Sequence, residues 1–238
     1  AAQIAELQQH RQEVVEVPLA RVKVLGAMHP LRITGDAEVR DAVVVSGPHQ
    51  VHRSGDTLEI HTSASGEDEA GFSFHWPGRP GFAGFGSTHP ERALRPIQIR
   101  MNPDLALEVE MAAGLLSVQR VHGPIKAEIQ AGSARLEDFS SPFDIKVTWG
   151  TVSANGVLTQ GESRVRCEAG TVKVVLEEGS SVRVVAKSTL GRISLPGEPA
   201  GLGEGWTVGG DLRQATVGAG DGLLEVETTT GAVWVEEA

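Results

Sequence analysis

The stretch IKAEIQAGSARL, residues 125–136, decides the fold once it is set beside its neighbours. LEVEMAAGLLSV (107–118) precedes it and FDIKVTWGTVSA (143–154) follows it. SRVRCEAGTVKV (163–174), VVAKSTLGRISL (184–195) and LEVETTTGAVWV (224–235) repeat the same form. Each copy is centred on a glycine: Gly114, Gly132, Gly150, Gly170, Gly191 and Gly231. The spacings are 18, 18, 20, 21 and then 40, the last being twice 20. Side chains alternate between the two faces of a strand. A bend at the glycine then puts the residues at −7, −5, −3, −1, +2 and +4 on one face. Of these 36 positions 32 are apolar, the exceptions being Ser163, Ser188, Thr228 and Thr230. At the alternate positions −6, −4 and −2, only Ala112 and Val185 of 18 residues are apolar. That contrast, repeated at a near-constant period, predicts strand–bend–strand units that cannot bury their own apolar face and must stack. The expected fold is all-β, a β-solenoid of about 18–21-residue coils, with glycine at each bend where positive φ or a close backbone approach is needed.

Composition agrees with a large core. The chain has 238 residues, 40% of them hydrophobic, which argues against wholesale disorder. The formal charge of −10 makes wrapping nucleic acid or coating anionic lipid a poor expectation. No apolar run reaches 18 residues, so no membrane-spanning helix is expected. One cysteine, Cys167, excludes an intrachain disulfide and a cysteine-rich zinc site. It falls on an inward position and reads as a small buried hydrophobe.

Outside the regular copies the chain divides further, within one expected solenoid domain over 1–238. Residues 1–13 (AAQIAELQQHRQE) are helix formers with an Ile4–Leu7 stripe, read as a short cap helix. Residues 14–62 read as irregular first strands, and 97–238 as regular rungs. Between them, residues 63–96 form a Gly/Pro/aromatic insertion. It holds Phe72, Phe74, Trp76, Phe82 and Phe85, half of the ten aromatics of the chain. Loop 71–86 is therefore the first candidate for a partner or ligand contact. Residues 197–221 are a second Gly-rich excursion, read as a partial coil before the last one. GAGDG at 218–222 lacks the Lys-Ser/Thr of a phosphate loop. The chain begins at Ala1 with no leader-like apolar region in residues 1–20. That leaves the compartment open, with the cytoplasm favoured over export behind a cleaved leader.

The segments LRITGDAEV, SGDTLEIHT, IQIRMNPDLALEVEMAAGLLSV and DGLLEVETTTGAVWV together resemble a bacterial "putative adhesin" family of β-strand-repeat proteins of unknown function. The resemblance covers roughly residues 17–238. It implies a β-solenoid and brings no catalytic residues with it. A looser resemblance is to the bactofilins, β-helical proteins that polymerise, although the loops here are longer.

Catalytic chemistry finds little support. His49, His52 and His61 lie near one another in sequence, but their spacing matches no metal motif. The outward positions mix signs: Glu108 and Glu110, Lys126 and Glu128, Asp144 and Lys146, Arg164 and Arg166, Lys187, Glu225 and Glu227. They read as charge pairs between neighbouring rungs. No nucleophile elbow, HExxH or CxxC occurs. The expectation is a non-enzymatic structural or interaction protein without cofactor or metal. Its form is a self-associating scaffold or an adhesin-like surface module. The alternative is a monomeric ligand- or glycan-binding module using the aromatic loop. Trp234, near the C-terminal copy, is the candidate end contact.

Overall fold

The computed structural model describes residues 18–26, 28–47, 49–62, 96–197 and 207–238. Among them every regular element is a strand. In chain order these are β1 (Arg21–Gly26), β2 (Leu31–Gly35), β3 (Ala42–Ser46), β4 (Gln50–Ser54), β5 (Thr57–His61) and β6 (Ile97–Met101). Then come β7 (Ala106–Gln119), β8 (Ile125–Phe139), β9 (Phe143–Gly156) and β10 (Glu162–Leu176). The last are β11 (Val182–Ser194), β12 (Thr207–Val217) and β13 (Gly222–Glu237). All thirteen belong to one open sheet. The proposed helix at 1–13 and the insertion at 63–95 lie outside the described residues.

The long strands pair in parallel, and the sequence copies fall in register. Gly114 faces Gly132, Gly132 faces Gly150, Gly150 faces Gly170, Gly170 faces Gly231, and Gly231 faces Gly191. Each tier has two legs either side of its glycine. Both legs turn alternate side chains into one contiguous buried cluster that runs from Leu19 to Val235. The glycine column is sterically enforced. At Gly150 φ is +145°, and a Cβ there would sit 1.7 Å from the carbonyl oxygen of Gly132. An L side chain has neither the conformation nor the room.

The burial pattern corrects the face assignment at one position. The −7, −5, −3, +2 and +4 residues of all six copies are buried. The −1 residues are not: Ala113, Ala131, Trp149, Ala169, Leu190 and Thr230 are half-buried or exposed. Positions −3 and +2 are an odd number of residues apart, so simple alternation cannot put both inside. One residue must be absorbed, and the register skips position −2 in every parallel pair of copies. The corner therefore spans −2 to the glycine and turns the −1 side chain outward.

Strand order also departs from chain order. β13 inserts between β10 and β11, and β12 runs antiparallel along the outer side of β11. The 197–221 excursion thus ends in a reversed strand rather than in a partial coil. The other end is built similarly. β1 and β2 supply the two legs of the tier next to β7, and β5 and β6 the legs of the tier beyond it. Outside these, β4 and β3 run antiparallel to β5 and β6. Each end of the parallel stack thus carries a reversed strand or strand pair.

The position of β13 sets acidic side chains against basic ones, although Glu110 faces Glu128 and Lys146 faces Arg166 elsewhere in the column of Glu227. In chain order Arg166 of β10 would lie beside Lys187 of β11. With β13 between them, Glu227 faces both, and Lys187 Nζ lies 3.1 Å from its carboxylate. One column over, Glu59, Lys23, Glu108, Lys126, Asp144, Arg164 and Glu225 alternate in sign across seven adjacent strands. Like charges directly opposed across strands are destabilising, and opposite charges help.

Candidate interaction surface

The outer surface of the tiers divides into three zones. The first-leg face is the charged one. Lys23 Nζ lies 2.8 Å from Glu110, Lys126 Nζ 3.5 Å from Glu108, Lys146 Nζ 3.1 Å from Glu128, and Arg164 2.7 Å from Glu225. The hydrogen bond to Glu110 raises the Lys23 pKa against the opposing desolvation, and the bond to Glu225 raises that of Arg164. These carboxylates are engaged by cations across the tiers. The second-leg face carries Ser117, Arg135, Ser153, Lys173, Trp234 and Ser194 in one outward column. Beside it, Glu137 accepts hydrogen bonds from Gln119 and Arg135, which hold its carboxyl below the usual range.

The corner between the faces is different in kind. Six large hydrophobic side chains are exposed among the described residues. Two of them, Val51 and Leu212, lie on the reversed end strands. The other four all sit at the corner: Met28 (42% exposed), Leu115 (47%), Trp149 (65%) and Leu190 (37%). Met28 belongs to the β1–β2 connection, whose carbonyls at Met28 and His29 lie against Gly114. From the Met28 tier to the Leu190 tier is six strand spacings, roughly 29 Å at ~4.8 Å each. Trp149 is the largest of these side chains, and its neighbours in the column are Ala131 and Ala169. The next outward column, at +1, runs Leu115, Ser133, Thr151 and Thr171, with Thr151 Oγ1 and Ser133 Oγ hydrogen-bonded at 2.8 Å.

The residues singled out from sequence distribute unevenly. Phe72, Phe74, Trp76, Phe82 and Phe85 lie outside the described residues. Their segment joins the described chain at the same corner, however. Thr62 N donates to Leu25 O and Ile97 N to Pro30 O, both at 2.8 Å. Trp234 is half-buried on β13, flanked by Lys173 and Ser194. That placement corrects the expected end position, because β11 and β12 lie beyond it. His52 and His61 sit on the β4–β5 hairpin, and His61 Nε2 is 3.7 Å from Glu59. His49 Nδ1 lies 2.8 Å from Gly47 O. No group of three or more His, Cys, Asp or Glu that could hold a metal occurs among the described residues. Cys167 is buried, and that burial pushes its thiol pKa up. The corner ridge itself escaped the sequence reading, since Trp149 and Leu190 were assigned inward. Alternation shows that one residue is absorbed near the glycine but not which one, since −3 and −1 are both an odd number of residues from +2.

No family model matches the chain, and no curated protein does. The resemblance to adhesin-type β-strand-repeat proteins therefore rests on the sequence segments quoted for it. Among solved structures the chain is similar to one from Clostridium sporogenes described as a "putative cell adhesion protein". The identity is 13%, the TM-score 0.45, and 94% of each chain is covered. A likeness that distant says nothing about what this chain binds.

Proposed function

We propose that this chain is a β-solenoid acting as a non-enzymatic, adhesin-like interaction module that meets its partner along the corner ridge. Support for the solenoid comes from the parallel, in-register pairing of the copies of β7 to β10, which lie 18–20 residues apart. The observation that carries the interaction role is the confinement, among the described residues, of every strongly exposed large apolar side chain of the parallel tiers to one corner. Apolar surface displayed together on a frame whose flat face is charged is the usual mark of a contact site. The non-enzymatic reading draws on the carboxylates of the charged face, which are spent on cross-tier pairs.

A second reading is self-association, through this corner or through loop 71–86. Light scattering coupled to size exclusion separates the two. The samples are the full chain, a Leu115→Ser/Trp149→Ser variant, and a chain with residues 71–86 replaced by a Gly/Ser linker. Monomers of about 25.1 kDa throughout leave the corner to a foreign partner and exclude self-association. An oligomer lost in the corner variant makes the contact homotypic. An oligomer that survives in both variants removes the corner and the loop alike as the assembling surface.

A further inference from the structure

The corner has a chemistry that selects among partners. Its three columns at −2, −1 and +1, across the six regular copies, hold eighteen residues, all of them at least partly exposed except the buried Ala112. Only two of them, Glu168 and Arg192, are charged. Eight carry a hydroxyl or a side-chain amide: Gln130, Ser133, Thr148, Thr151, Thr171, Thr189, Thr229 and Thr230. The adjoining first-leg columns at −6 and −4 hold twelve residues, of which eleven are charged. The change is abrupt, from position −4 to position −2.

At the middle of this sparsely charged strip stands Trp149, 65% exposed, with only methyl side chains beside it in its column. The fold does not require it, because Ala, Leu and Thr fill the same position in the other copies. We propose that Trp149 anchors a binding site for a neutral oligosaccharide, with the Ser133–Thr151–Thr171 hydroxyl ladder as its polar edge. This rests on the corner being a contact surface and names the class of its ligand. An indole offers a flat apolar face to the C–H face of a pyranose ring. Hydroxyls spaced by one strand, ~4.8 Å, present repeated donors and acceptors to successive sugars of an extended chain. Two charges of opposite sign among eighteen residues, Glu168 and Arg192, fit a ligand without net charge. A nucleic acid or an acidic polysaccharide would find no cation on this strip except Arg192.

The test uses the full chain with Trp76, Trp206 and Trp234 replaced by Phe, so that Trp149 alone reports. Its emission is titrated with cellohexaose, chitohexaose, xylohexaose and mannohexaose, with polygalacturonate as the acidic control. The expected result is a saturable blue shift with at least one neutral hexamer and none with polygalacturonate. Ser133→Ala/Thr151→Val should weaken it about tenfold. In the otherwise unaltered chain, Trp149→Ala should abolish binding by calorimetry while leaving the urea unfolding midpoint in place. No shift with any neutral hexamer at millimolar concentration overturns the proposal, as does a response only to polygalacturonate. A mass doubling that Trp149→Ala abolishes, with no sugar bound, assigns the corner to a second copy. A Trp149 emission that moves to that of a solvated indole when residues 71–86 are replaced by a Gly/Ser linker assigns it to that segment. Either result overturns the glycan site. The first would leave the interaction reading standing, and the second would remove it too.

Discussion

At the scale of the residue, the glycine column and the −1 corner set the limits of what side chains can do. Gly150→Ala asks for φ near +145° and a methyl 1.7 Å from the Gly132 carbonyl oxygen. Backbone cannot yield to this without breaking the pairing, so a loss above about 3 kcal/mol is expected in urea unfolding. Gly179 is the matched control. Its φ is +92°, but nothing lies within 4 Å of a Cβ there. Gly179→Ala should cost only about 1 kcal/mol. The interior offers the opposite sign. Thr228 and Ser188 face each other in register, both fully buried, and neither hydroxyl has a hydrogen-bond partner. Thr228→Val keeps the shape and removes an unpaid desolvation, so it should raise stability by about 1 kcal/mol. An unchanged or lower midpoint would show that the hydroxyl is satisfied after all. These residues were legible in the sequence as inward positions, Ser188 and Thr228 included. Trp149 was not, because counting alternate residues carries no information on where a corner swallows one.

At the scale of the element, the copies predict strands and their register but not their order. All six share one pattern, and the hydrophobic column accepts any of them as a neighbour. What distinguishes them is the outward charge. β13 carries two outward glutamates, Glu225 and Glu227, as β7 does with Glu108 and Glu110, and it lies between the basic β10 (Arg164, Arg166) and β11 (Lys187). The charge signs were visible beforehand, but their use as an ordering code needed the paired strands. Glu225→Lys/Glu227→Lys would turn two attractive columns repulsive. Exposed pairs are each worth roughly 0.2–1 kcal/mol, so a loss of about 1–2 kcal/mol is expected at low salt. It should shrink at 1 M NaCl, where the Debye length is about 3 Å. Adding Arg166→Glu and Lys187→Glu, which both face residue 227, should restore the part lost in that column. A loss indifferent to salt and to the compensating pair would mean that packing, not charge, places β13.

At the scale of the whole molecule, a stack of strands has two ends, and how they are closed decides whether it grows. Both ends reverse chain direction. The C-terminal closure adds a charge. On β12, Arg213 and Asp211 lie opposite Ala186 and Ser188, over the interior columns, and bond to each other at 2.8 Å. Inward-pointing charge on an edge strand makes stacking of another apolar column on it costly. The N-terminal closure puts Val51 opposite Ile60, half exposed; the expected cap at 1–13 lies outside the described residues. The pH response of the assembled sheet has a defined sign. Asp36, whose oxygen accepts from the Glu38 amide and from Arg100, and Glu137 both have lowered pKa values. Their contribution is present above the ordinary carboxylate range and is lost as pH falls through their folded values. The raised value of Lys23 gives a contribution present below 10.5 and lost as pH climbs past its folded value. Urea midpoints should therefore be flat from about pH 5 to 8 and fall on both sides. The alkaline fall opens with Cys167, whose buried thiol keeps its proton in the fold after the unfolded chain has lost it, and Glu137→Gln should flatten the acid limb. The end closure has its own test. Asp211→Leu/Arg213→Leu leaves the strand pairing intact and presents an apolar terminal tier. Light scattering should then show association that rises with protein concentration, beyond whatever state the native chain holds. If the variant keeps the native mass at every concentration, the reversed strand alone closes the stack, and the Arg213–Asp211 pair has no part in stopping it.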